Sequence, residues 1–268
     1  MRMKLEKCES LVSAIGNTKK IVLVLFAVIA VIAVSVATAV ATFQVQSQKD
    51  AKGQEQATVI QEGQMTEKQR QHSTLFKHSG PKLRDIAARQ NGDVEVEEGL
   101  GLMMRLPATG PQRPVFHSAV CNADAVVIGI LNDKSSQLTD GKNFVFTDYQ
   151  ITVEEIIKDN AVAPIPTASV ITGTRDGGAI ELNNRIFWAK REDFDPPIVG
   201  QRYLLFLRFI PATGAYLMYG NGSFQLAAQR VLALGPASRD EVRRGGVEDS
   251  LAFLNQIRTY AGKDCQRK

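Results

Sequence analysis

The chain has 268 residues, with 32 Lys and Arg against 28 Asp and Glu, three His, three Cys and a formal net charge of +4. That length allows one or two domains. Residues 1–43 hold five of the basic residues and two of the acids, leaving 27 against 26 beyond them; so balanced a remainder has no basic stripe for a phosphate backbone, and nucleic acid is not an expected partner.

Residues 1–20 form a short basic segment carrying Arg2, Lys4, Lys7, Lys19 and Lys20. From Ile21 to Phe43 about 23 residues run without a charge, about 35 Å as a helix, enough to cross a ~30 Å hydrocarbon core. Ser35, Thr38 and Thr42 are its polar members, and their hydroxyls bond back to carbonyls one turn earlier at little cost in lipid. A buried core helix of that length shows a polar edge, and this run has none. Residues 21–43 are therefore expected to be a transmembrane helix.

Only Lys49 and Lys52 follow the span closely, so the positive-inside rule leaves residues 1–20 in the cytoplasm and exports everything after Phe43. The expected location is the plasma (inner) membrane, single-pass, with a periplasmic or extracellular C-terminal domain. Ala39-Val40-Ala41 also fits a signal-peptidase site, and cleavage near Ala41 gives a secreted protein. The apolar run is longer than the 7–15 residues of a signal h-region, which favours the uncleaved signal-anchor.

Export sorts the cysteines. Cys8 lies on the reducing side, while Cys121 and Cys265 lie where disulfides persist, so one pair is available outside. No CxxC or HxxxH spacing offers a metal site, and no cofactor is expected.

Residues 44–113 read as stalk and linker. Gln44 to about Gly63 is rich in Gln, Lys, Ala, Glu and Ser and has too few large apolar residues to offset its ordering entropy. Leu83, Ile86 and Ala87 repeat at i, i+3, i+4 and predict a short helix, ended by Asn91-Gly92. Gly99 to Met104 adds a candidate strand before the Pro- and Gly-rich stretch Pro107 to Pro114.

Residues 114–235 change to strand texture. Ala123 to Leu131 is a β-branched run, and Phe144 to Ile157 alternates strongly. Ser169 to Thr172 follows, with Asp176-Gly177-Gly178 as a turn before Ala179 to Trp188. Tyr203 to Ile210 is nearly all apolar, as in a strand buried on both faces. Pro211-Ala212-Thr213-Gly214 turns into Ala215 to Tyr219, Asn221-Gly222-Ser223 reads as a hairpin turn, and Ser223 to Leu226 closes the set. Six or seven strands in about 115 residues, with tight turns between them, predict a small closed or nearly closed barrel. Residues 236–268 hold a C-terminal helix and tail. Ser238 to Glu241 fits a capping box, and Val247, Leu251, Leu254, Ile257 and Arg258, with Phe253 beside them, form the stripe expected to dock on the barrel.

A resemblance rests on Cys121-Asn122-Ala123-Asp124 with Val126-Val127-Ile128-Gly129, then Tyr149 to Lys158, then Gly200-Gln201-Arg202-Tyr203-Leu204-Leu205-Phe206-Leu207. Over residues 119–230 or so the chain resembles the netrin-module and tissue-inhibitor-of-metalloproteinase superfamily. The resemblance implies a five-stranded OB barrel and a bond from Cys121 to a later cysteine, for which Cys265 is the available partner. Against it stands a frayed polar tail, Lys263 to Lys268, in which Cys265 pairs between molecules or not at all. The family's inhibitory chemistry uses a cysteine at a free N-terminus, and Cys121 is preceded by a long segment, so that chemistry does not carry over.

No catalytic constellation is legible. His72 and His78 fall in the stalk and His117 in the linker, and Gly80-Pro81 breaks the SxxK match at Ser79 to Lys82. Asp176, Glu181, Glu192, Asp193 and Asp195 read as turn and solvated acids rather than a calcium rim. Phe187, Trp188, Phe194 and Tyr203 are the candidate binding-face aromatics, with ordinary core duty as the competing reading. The expected function is a membrane-anchored extracytoplasmic interaction module taking a protein or glycan partner. A protease inhibitor of the netrin type and an enzyme with an unrecognised site are the alternatives.

Overall fold

Among the described residues, ten strands carry the architecture. They are β1 (Thr58–Val59), β2 (Val94–Glu98), β3 (Ala125–Leu138), β4 (Val145–Lys158), β5 (Val170–Asp176), β6 (Gly178–Leu182), β7 (Arg185–Arg191), β8 (Arg202–Ile210), β9 (Ala215–Ala227) and β10 (Arg230–Ala233). Five helices accompany them: α1 (Glu67–Ser73), α2 (Leu83–Arg89), α3 (Val115–Asn122), α4 (Pro236–Gly245) and α5 (Ser250–Lys263). The computed structural model describes residues 57–59, 65–90, 92–98, 115–245, 249–263 and 265, all within one unit, Glu55–Lys268. Among these no helix is long and apolar enough to cross a membrane. The apolar run 21–43 and the candidate strand from Gly99 lie outside the described residues.

The larger sheet has the order β10-β9-β5-β4-β3-β8, and β9 also pairs β8, so five strands close into a ring. Neighbours in the ring are antiparallel except β5 and β9, which run parallel through Gly173–Tyr216 and Thr174–Leu217. Gly129 sits at a register shift in β3, where an added Cβ would meet the Thr152 carbonyl oxygen at 2.6 Å. Only glycine allows the two strands to approach there.

Alternation sends side chains to both walls of the ring. Tyr203, Leu205 and Leu207 join Val127, Tyr149, Ile151 and Met218 inside it. Leu204 and Phe206 point the other way, into a second cluster with Phe116 and Val120 of α3, Val242 of α4, and Phe253, Leu254 and Ile257 of α5. The apolar stretch of β8 from Tyr203 to Leu207 is thus covered on both faces.

A smaller sheet, β1-β6-β7-β2, packs a third cluster against the ends of β3 and β4. It leaves β5 through Gly177 (φ +86) and Gly178 (φ +140), a kink that side chains rarely adopt. The run read as one strand, Ala179 to Trp188, is a hairpin turning at Asn183 and Asn184, both left-handed (φ +56 and +58). That dihedral pair is the tight-hairpin signature, and Asn tolerates it.

Other expectations need correction. Asn221-Gly222-Ser223 lies inside β9 rather than in a turn, with Gly222 against Phe206. Ser238 is not an N-cap; α4 starts at Pro236, where the fixed φ suits the first turn, and Ser238 Oγ donates to the Asn221 carbonyl at 2.6 Å. Leu251 is 64% exposed and does not dock. The helix is rotated so that Phe253, Leu254 and Ile257 face the ring, with Phe253 against the edges of Phe116 and Phe224, ring centroids 5.3 and 5.0 Å away. Of residues 65–98, placed in the stalk and linker, the helix expected around Leu83 to Ala87 is present as α2, while α1 and β2 join the fold as well, and Leu83 and Val94 are buried.

Candidate functional site

The most concentrated polar geometry in the described residues centres on α1. Thr66 and Gln69 cap it reciprocally: the Gln69 N–H donates to Thr66 Oγ1, and the Thr66 N–H donates to Gln69 Oε1. The helix lies over the outer wall of the ring. There Ser135, Asp148 and Thr174 sit opposite one another on β3, β4 and β5.

His72 is fully buried between two ring elements. Its Nδ1 lies 2.9 Å from both carboxylate oxygens of Asp148, and its Nε2 lies 2.9 Å from Thr213 Oγ1 in the β8–β9 turn. Nδ1 faces a carboxylate, and Nε2 shares a hydrogen bond with the Thr213 hydroxyl. Hydroxyl, imidazole and carboxylate thus stand in the order of a nucleophile, its base and an orienting acid.

The surroundings give this trio a different role. The N–H groups of Thr213 and Gly214 are both spent on the Ile210 carbonyl, and the Ala215 N–H donates to Thr213 Oγ1 itself. None is available to stabilise an oxyanion. What the trio does is tie α1 to β4 and to the β8–β9 turn.

The same segment engages the β3–β4 loop. The Asp140 N–H donates to the Ser73 carbonyl, Asn143 Nδ2 to the His78 carbonyl, and the Leu83 N–H to the Lys142 carbonyl. Phe76 stacks on Phe146 and His78 on Phe144, with centroids 5.9 and 4.0 Å apart. Residues 66–83 therefore bridge both loops that flank the β4–β5 wall.

Beside the far end of β4, the Sγ atoms of Cys121 and Cys265 are at disulfide distance, 2.19 Å, with Cα atoms 5.0 Å apart. Lys158, at the end of β4, donates from Nζ to the carbonyls of Val120, Cys121 and Ala123, which closes the C-terminus of α3 and fixes Cys121. Nearby, Arg258 of α5 forks onto both oxygens of Glu155 at 2.8 Å. That hydrogen-bonded guanidinium holds the Glu155 carboxyl below the usual range.

The four candidate aromatics do not form one face. Phe187 is buried in the cluster of the small sheet, while Phe194 and Tyr203 are buried in the ring interior. Trp188 is half-buried. Phe194 carries the buried Arg175 guanidinium 4.3 Å above its ring centre. Tyr203 accepts from the Ile198 N–H at 2.7 Å, and burial pushes its hydroxyl up to about 12. A shallow cleft of about 240 Å³ lies between α2 and the β6–β7 hairpin, with Phe187 in its wall.

Of the turn acids, Asp176 and Asp193 pair with Arg191, and Asp195 with Arg239. No group of three or more His, Cys, Asp or Glu among the described residues is placed to hold a metal. The trio escapes sequence reasoning because His72 meets partners 76 and 141 residues away. Its one local sign is a histidine three residues past the capping-box Gln69, at the end of a short polar helix. Compared with known proteins, the chain matches no family model, and no curated protein matches it.

Proposed function

We propose that the protein is a membrane-anchored, extracytoplasmic binding module built on an OB-like barrel. Its ligand face is the outer wall of β3, β4 and β5, between loops 139–144 and 211–214. The observation that carries this reading is the closure of the five-stranded ring. Its order, β9-β5-β4-β3-β8, with the third and fifth ring strands parallel, supports reading it as a Greek-key barrel of the OB kind. Such barrels bind through the second and third strands, here β4 and β5, and through the loops that here join β3 to β4 and β8 to β9.

Export is supported by the apolar run 21–43 and by the Cys121–Cys265 pair, since a bridge at that position persists in an oxidising compartment. The face offers Ser135, Asp148, Gln150 and Thr172, which suit the hydrogen-bonding groups of a protein or glycan partner and repel a polyanion. The test is retention of ligands from oligosaccharide and peptide arrays by the full-length protein in lipid nanodiscs. The reading expects Gln150→Ala and Thr172→Ala each to cut retention at least tenfold with an unchanged melting temperature. Unchanged retention removes the face from the account. For topology, a reporter fused after Lys268 is expected to be active outside the cytoplasm alone, and activity in the cytosol overturns the orientation.

A further inference from the structure

We infer that α1 is a displaceable lid: the chain's own segment occupies the ligand face and yields it to a hydrogen-bonding ligand. The inference rests on the binding reading above and adds its regulation.

Three observations carry it. First, α1 buries only His72 and Ser73, and none of its residues belongs to an apolar cluster of the domain. Elements that dock without apolar burial are drawn from the low-stability end of a fold and open locally. Secondly, every tie from residues 69–73 ends on a group that a ligand's hydroxyls or amides also satisfy. These are the Asp148 carboxylate, the Thr213 and Ser135 hydroxyls and the Asp140 N–H. Displacement exchanges one set of hydrogen bonds for another instead of exposing a core.

Thirdly, the wall beside the His72–Asp148 tie holds an unsatisfied group. Thr174 is fully buried on the same wall, directly opposite Asp148, and its Oγ1 has no hydrogen-bond partner among the described residues. A buried hydroxyl without a protein partner is costly, and opening of α1 relieves that cost where it lets water or a ligand bond the group. A ligand that bonds Asp148 and Thr174 together thus has an affinity for the open state that α1 cannot match. Its apparent affinity falls by the closed fraction.

Thiol labelling of the full-length protein tests this. Thr174→Cys places a thiol directly opposite Asp148, the carboxylate that His72 ties down, and Val127→Cys places one on the inner wall of the ring, reachable only by global opening. With N-ethylmaleimide under native conditions, read by peptide mass spectrometry, position 174 is expected to label at least 100-fold faster than position 127. His72→Gln, added to each, is expected to speed labelling at 174 at least tenfold and leave 127 unchanged. Equal rates at the two positions, or equal acceleration by His72→Gln, overturn the lid. Should Thr174→Cys fail to fold, amide exchange of residues 70–73 against β4 in the unsubstituted protein reads the same opening, with the same two outcomes. A face that opens but retains nothing from the arrays overturns the binding reading and leaves the lid. Ligand retained without faster labelling overturns the lid and leaves the face.

Discussion

Two helices dock on one ring by opposite means. Helix α5 packs Phe253, Leu254 and Ile257 into an apolar cluster that continues through Phe116 and Phe224. Helix α1 places a single buried imidazole between a carboxylate and a hydroxyl. An apolar contact is held by area removed from water and is lost all at once, with the core it belongs to. A polar contact nets little against water while formed, yet leaving one partner dry is expensive. The first kind makes a permanent part of the domain, the second a part that comes and goes. In this protein the difference separates the two ends of the folded unit.

The largest expected effect sharpens the permanent end. Cys121 and Cys265 are 144 residues apart in sequence, and on the chain-entropy account a bridge closing such a loop stabilises by about 5 kcal/mol before native strain is subtracted. Cys121→Ser is therefore expected to lower the urea midpoint severely for protein purified from its native envelope. Non-reduced peptide mapping provides the parallel check, because two alkylatable thiols at these positions mean the bridge does not form.

The alkaline limb is expected to follow Tyr203. Its hydroxyl is raised to about 12, above the ordinary value of 10, because burial penalises the phenolate. For a group raised on folding, the contribution is complete below the unfolded value and is lost as pH rises towards the folded one. Stability is thus expected to be flat up to about pH 10 and to fall between there and about 12. Tyr203→Phe should flatten part of that fall while costing about 1 kcal/mol at neutral pH for the lost hydrogen bonds to Ile198. An unchanged alkaline limb in the variant removes Tyr203 as its cause.

A smaller effect belongs to the Arg258–Glu155 fork, whose two side chains are both 39% exposed. Glu155 is depressed by that hydrogen bond, so its contribution is present above its ordinary value near 4.5 and is lost as pH falls below it. Screened by solvent, the pair is worth at most about 1 kcal/mol. Arg258→Gln is accordingly expected to shift the melting temperature only slightly at pH 7 and less as pH falls below 4.5 towards 3. An equal shift at both values means the fork acts by packing instead.

The same contrast governs what the sequence reveals. The permanent parts are written in local periodicity: the apolar run of β8, the alternation of β4, the i, i+3, i+4 repeat of α2 and the apolar stretch of α5 are each visible within a dozen residues. Phase is harder, and Leu251 illustrates why. A stripe drawn from Val247 includes it, whereas the true docking face is set by Phe116 and Phe224, aromatics supplied by distant elements. The strand Val94–Glu98 carries three glutamates and pairs in parallel with β7, so neither its composition nor a hairpin turn announces it. Polar contacts leave still less trace. The tie of His72 to Asp148 and Thr213 depends wholly on the fold bringing three separate segments together, and a histidine in a polar stretch reads as linker until it does.

One pair of substitutions tests the contrast most directly: urea unfolding of Phe253→Ala beside His72→Ala in the same full-length protein. Phe253→Ala is expected to cost about 3–5 kcal/mol, as a large cavity in a packed cluster does. His72→Ala is expected to cost no more than about 1 kcal/mol globally, because α1 releases and lets water reach Asp148. If His72→Ala instead costs about 3–5 kcal/mol, the loss seen when a buried ionic partner is removed from an integral core, then α1 is as permanent as α5 and the account is contradicted.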